Sequence, residues 1–392
     1  MQEEDVPLFG LAFRPFFLFG TLFSVVAMAT WVSIVNGWWD KDLYGGSFFW
    51  HVHEMLFGFV AAIIVGFLLT AAQNWTGMRT LHGFPLAIIS ILWLTARVGF
   101  FFMDTGSIWL ATIDISFLLV VAVFLGAPIV KVRQWRNLFF VPVLILFSVA
   151  NGMMHLGALN QDHALVLQGT RGALFLVCVL MVTVGGRVIP GFTANGTGTQ
   201  GVAPIPGIEI MALGSVWLLM FVFLLGLDSY LTNLTLSALL ILAAASNLAR
   251  WVRWRFWITF RVPLVWTLHI AYFFIVAGFT ALAVSYLIVS VAPSVAWHLI
   301  TVGGMGGLIL SMVSRVSLGH TGRMIVAPRW MVPAFICIFI AAVLRGVFPA
   351  TVAEYYVIWV TASGLLWIAA FSVFVIGYFS ILSQPRVDGR PG

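Results

Sequence analysis

Twelve long apolar runs follow one another along this chain, at approximately 14–36, 47–72, 84–103, 107–130, 137–159, 163–184, 207–226, 230–250, 263–291, 295–316, 331–348 and 355–382. A helix needs about 20 mostly apolar residues to cross a bilayer. The runs therefore predict an all-α integral membrane protein with twelve transmembrane helices, a single polytopic domain over 1–392. Charged residues make up 8% of the chain and apolar residues 62%, whereas a soluble domain is roughly a quarter charged. The chain is solvated by lipid.

The charges that remain set an orientation. The N-terminus and the even-numbered loops hold Arg14, Arg79, Lys131, Arg133, Arg136, Arg187, Arg250, Arg253, Arg255, Arg261, Arg315, Arg323 and Arg329, and the C-terminal tail adds Arg386 and Arg390. The opposite side holds Lys41 and Arg345 against Asp40, Asp42, Asp104, Asp162, Asp228 and Glu354. Basic residues concentrate on the cytoplasmic side of membrane proteins, so both termini are expected there. The net charge of +6 is thus read as topology, and no nucleic-acid partner is expected. The acidic start, "MQEEDVPLFG", lacks the basic n-region of a cleavable signal peptide. Cys178 and Cys337 lie inside apolar runs and offer neither a CxxC motif nor a disulfide framework. The longest loop is expected at about 185–206, rich in Gly, Thr and Pro.

A fourfold spacing of similar openings suggests repetition. "AFRPFF", "QWRNLFF" and "TFRVPLVW" introduce helices 1, 5 and 9, and helices 2, 6 and 10 begin near His51, His163 and His298. Arg14 to His51 and Arg261 to His298 both span 37 residues. A degenerate repeat of four helices, over 10–130, 131–255 and 256–385, is the corresponding expectation.

Ionisable side chains within a membrane mark function by default. His51, His53, His155, His163 and His298 fall in the outer layer, while His269 lies in the inner third of helix 9 and His320 at the inner end of helix 10. Neutral imidazole binds iron and copper without a buried counter-charge. His51, His53, His155 and His298 are the first-choice metal ligands, with His269 and His320 as a second cofactor site. His51 and His53 stand about 200° apart on a regular helix, so both cannot face one centre. Glu54 lies on nearly the same face as His51. It could accept an imidazole N–H or relay protons to a reduced ligand, and is the candidate catalytic residue. Arg97 and Asp114 are expected to pair, and Arg171 suits an anionic cofactor group such as a haem propionate. Each of these has a plainer explanation in helix capping, snorkelling or structural hydrogen bonding. The absence of CxxCH means that any haem would be held non-covalently, as haem b. "GGMGG" at 303–307 is read first as close helix packing.

"FRPFF", "WHVHEMLFGF", "NWTG", "GGRVIPGFT" and "MVSRVSLGHTGR", in this order over nearly the whole chain, resemble the NnrS family. The resemblance implies a haem- and copper-containing protein of the bacterial inner membrane, linked to nitric oxide metabolism and nitrosative stress. It carries over His51, His53 and His320 by motif, with His298 on the same helix as His320. Twelve helices and outer-layer histidines on helices 2, 6 and 10 are also similar to the catalytic subunit of haem–copper oxidases and nitric oxide reductases. The paired histidines of helices 7 and 10 in that superfamily are missing here. The expected function is binding of nitric oxide and its reduction to nitrous oxide, with electrons from a quinol or a separate redox protein. The alternative is a transporter or a non-catalytic sensor for haem, copper or a small ligand.

Overall fold

The computed structural model describes residues 6–389. Glu3, Glu4, Asp5 and Arg390, which entered the reading of the termini, lie outside the described residues. The described residues contain twelve helices long and apolar enough to cross a membrane. They are α1 (Phe13–Val35), α2 (Ser47–Thr76), α3 (Gly83–Phe102), α4 (Ile108–Lys131), α5 (Trp135–Leu159), α6 (His163–Thr197), α7 (Pro206–Leu224), α8 (Asn233–Arg253), α9 (Pro263–Leu287), α10 (Pro293–His320), α11 (Met331–Thr351) and α12 (Ala353–Ser383). Among the described residues there is no strand.

The largest departure from the sequence reading is α6. It continues through "GGRVIPGFTANGT" to Thr197, with Pro190 inside it, so the loop expected at 185–206 shrinks to 198–205. Packing outweighs the low helix propensity of Gly and Pro. A Cβ at Gly186 would lie 1.7 Å from Arg250 Nη2, and one at Gly185 would lie 3.1 Å from the Tyr272 ring. The Arg315 guanidinium also sits 3.8 Å from the centre of the Phe192 ring.

The placement of the basic residues in loops also needs correction. Arg187 lies within α6 and Arg315 within α10, and Arg14 and Arg250 are buried. Arg14 Nη1 donates to the carbonyls of Leu382 (3.0 Å) and Gln384 (2.6 Å). It thereby satisfies acceptors that a helix end leaves open.

Contacts divide the chain into two compact units. One is Met1–Ala173 with Val316–Met324 and Phe374–Gly392; the other is Leu174–Arg315 with Ile325–Val373. In the first, α2 packs on α1 and α4, and α4 packs on α3 and α5. In the second, α8 packs on α7 and α9, and α10 packs on α9 and α11. Lipid gives helices no hydrophobic reason to associate, so close approach at small residues carries the packing. Gly66 of α2 faces Phe16 and Phe17 of α1, and Gly304 of α10 faces Ile275 of α9.

Two helices change winding partway. α2 becomes a π-helix over Glu54–Val60, directly after His53. α10 does so over Leu299–Gly306, directly after His298. Such widened turns are rare and concentrate at functional sites.

Candidate metal centre

Four helix ends in the first unit bring polar groups to one level. α2 starts after Gly45 and Gly46, whose φ angles of +71° and +83° suit glycine. It reaches His53 and Glu54 in its second turn. α4 is capped by Ser107, whose hydroxyl accepts from Leu110 N–H, and it reaches Asp114 in its second turn. α3 and α5 run the opposite way and deliver Arg97, Asn151 and His155 in their last turns. At 1.5 Å per residue each group lies about 6–11 Å from its helix end, apart from Asn151, one turn deeper than His155. His53, Glu54, Arg97, Asp114, Asn151 and His155 are all buried.

These groups form one connected network. His53 Nδ1 lies 2.9 Å from Glu54 Oε1. Its Nε2 lies 2.8 Å from Asn151 Oδ1 and 3.2 Å from Asp114 Oδ2. His155 Nε2 also lies 3.2 Å from Asp114 Oδ2. Asn151 Nδ2 donates to that same oxygen at 2.6 Å. Arg97 donates through Nη1 to Glu54 Oε1 at 2.9 Å and through Nη2 to Asp114 Oδ1. Tyr44, in the loop before α2, places its hydroxyl 3.1 Å from His155 Nδ1. Burial pushes the Tyr44 phenol up to about 12, so at neutral pH it keeps its proton and orients the His155 ring. Glu54 Oε2 is buried without a partner.

Both ring nitrogens of His53 face oxygens. A single guanidinium, Arg97, meets two buried carboxylates, Glu54 and Asp114. Among the described residues, the group of three or more His, Cys, Asp or Glu side chains able to share an ion is His53, Asp114 and His155, with ligand atoms within 4.8 Å of one another. Both histidines turn Nε2 toward Asp114, and each has Nδ1 held from behind, one by Glu54 and one by Tyr44. Histidines that bind metals are oriented in this way by a partner on the second nitrogen.

The expected site residues fall in different places. His53, Glu54 and His155 come together. His51 points elsewhere and stacks on Trp31, with ring centres 4.1 Å apart. Glu54 partners His53, its neighbour in sequence, rather than His51 as its face suggested. The expected Arg97–Asp114 pair is present and is shared with Glu54. Arg171 is half-buried and His163 exposed, both on α6.

His320 lies against Phe13, ring centres 5.6 Å apart. His298 and His269 belong to the second unit. His298 Nδ1 donates to the Ser294 carbonyl at 2.6 Å. His269 Nε2 lies 2.8 Å from Thr193 Oγ1, and its Nδ1 is buried without a partner. The "GGMGG" glycines serve helix packing: a Cβ at Gly303 would lie 2.3 Å from Phe274 and one at Gly306 2.6 Å from Trp367.

Three contributors to the network escaped the sequence reading: Asp114 as a ligand, Asn151 and Tyr44. Asn151 precedes His155 by four residues on one helix face, the spacing that could have flagged it. Tyr44 lies in a loop and gave no signal.

A comparison with curated proteins gives no match. A family model described as "NnrS protein" matches residues 7–386, nearly the whole chain. The chain belongs to the NnrS family.

Proposed function

We propose that this protein is a metal-dependent membrane protein of nitric oxide metabolism that binds nitric oxide and reduces it to nitrous oxide. Family membership supports the link to nitric oxide. The observation that carries the metal is the convergence of His53 Nε2 and His155 Nε2 on Asp114 Oδ2, each at 3.2 Å. Donor atoms about 2 Å from a four-coordinate ion stand about 3.3 Å from one another, so the spacing suits a small transition-metal ion.

Two imidazoles and a carboxylate are a donor set for copper or non-haem iron. Charge favours copper: a monovalent ion beside Arg97 would balance the two carboxylates, Glu54 and Asp114. The same closeness leaves no room for a macrocycle between the two rings. A haem b would use histidines outside the triad, among which His269 offers a buried, unpartnered nitrogen. The chain is proposed to lie in a bacterial inner membrane with both termini cytoplasmic.

Reduction joins two nitric oxide molecules, taking two electrons and two protons, and yields nitrous oxide and water. The bound metal would supply an open coordination position and one-electron chemistry. The remaining roles belong to side chains. Asp114 and the two histidines hold the ion, Arg97 fixes both carboxylates, and Glu54 carries protons through its unpartnered Oε2. The electrons come from a quinol or a separate redox protein.

The test is nitrous oxide formation by the purified, metal-loaded protein with a chemical reductant. Wild type should produce nitrous oxide, and Glu54→Gln should retain metal while turnover falls by about 10²–10⁴-fold. Metal-loaded wild type that binds nitric oxide without forming nitrous oxide would sink the catalytic reading.

A further inference from the structure

The second unit repeats the plan of the first with its charges changed. In each, a helix carries a histidine and then a π segment: His53 before Glu54–Val60 on α2, and His298 before Leu299–Gly306 on α10. In each, the next helix carries a buried arginine near its end, Arg97 on α3 and Arg345 on α11. In each, that arginine is met by a residue of the helix after, Asp114 on α4 and Tyr356 on α12.

The two carboxylates are what differ. Leu299 stands in the position of Glu54, directly after the histidine, and Tyr356 takes the part of Asp114. Arg345 is 7% exposed, and no described carboxylate pairs with it. Its Nη1 donates to Ser294 Oγ at 3.5 Å and its Nη2 to the Tyr356 hydroxyl at 3.3 Å. Both contacts are long, and they use two of the five N–H groups of a guanidinium.

A buried charge without a counter-charge is costly unless something supplies one. We propose that Arg345, Ser294 and Tyr356 form a binding site for an oxyanion group, which completes the charge balance that Glu54 and Asp114 provide internally in the first unit. Ser294 and Tyr356 accept from Arg345 and keep their own hydroxyl protons to donate. Ser294 also lies in the first turn of α10, where backbone N–H groups and the helix dipole favour negative charge. Tyr356 is 44% exposed, so the site opens at the protein surface. The ligand is an oxyanion of phosphate type, either a free inorganic ion or the phosphate of a lipid headgroup.

The experiment uses full-length, delipidated protein in a neutral detergent. Thermal unfolding is followed while inorganic phosphate replaces chloride at constant ionic strength, and separately while phosphatidylglycerol is added to the micelles. Wild type should be stabilised saturably by one of the two; phosphate identifies a free oxyanion and phosphatidylglycerol a lipid headgroup. Arg345→Gln should weaken the response about tenfold or more, as loss of a charge-assisted hydrogen bond does. Leu299→Glu places a carboxylate where the first unit has one, keeps Arg345 compensated and should abolish the response in a folded protein. No saturable response from wild type to either ligand, or a wild-type response in both variants, would overturn the proposal.

Discussion

Asp114 is the hinge of the site at the scale of single residues. One oxygen takes Arg97, and the other takes Asn151, His53 and His155. Arg97→Met would strand Glu54 and Asp114 as buried, uncompensated carboxylates. It should destabilise the protein by about 3–5 kcal/mol, read as a lower unfolding midpoint in detergent. Tyr44 gives a pH signature with a definite sign. Burial raises it from the model-compound value of 10.0 to about 12, so its contribution to stability is complete below pH 10 and lost as pH rises toward about 12. The Tyr44→Phe variant should lack that loss, which a comparison of unfolding midpoints across this window would show. Identical alkaline profiles for the two proteins would contradict this role for Tyr44.

The elements show what the sequence disclosed and what it hid. All twelve spans were legible, because a run of about 20 apolar residues is a signal that lipid itself requires. The end of α6 was not legible. Gly185, Gly186 and Pro190 argue locally against a helix, and the contacts with Arg250 and Tyr272 that hold it come from α8 and α9. The separation of His51 from His53 followed from helical geometry alone, and the structure agrees.

The partner of Glu54 could not be read in the same way, because a bond between sequence neighbours leaves no periodic trace. The π segment over Glu54–Val60 needs room. A Cβ at Gly58 would lie 2.5 Å from the Phe23 ring and 3.0 Å from Arg97 Nη1. Gly58→Ala should therefore cost about 1–3 kcal/mol by overpacking. It should also lower metal content although it touches no ligand; unchanged metal content would show that the π segment does not position Arg97.

For the whole molecule, the even number of spans and the excess of basic residues support the proposal that both chain ends face the cytoplasm. A fluorescent protein fused to the C-terminus should fold and shine, and an alkaline phosphatase fused there should be inactive; the reverse pattern would invert the orientation. Metal and protons compete for imidazole ligands, so metal affinity should fall as pH is lowered.

The most direct test of the metal centre is copper and iron content in purified full-length wild type and in four variants, His53→Ala, Asp114→Ala, His155→Ala and His51→Ala. Wild type and His51→Ala should carry stoichiometric metal, and the other three should lose it while still eluting as folded protein. Metal lost equally in all four variants, or retained in all of them, would contradict a site built from His53, Asp114 and His155.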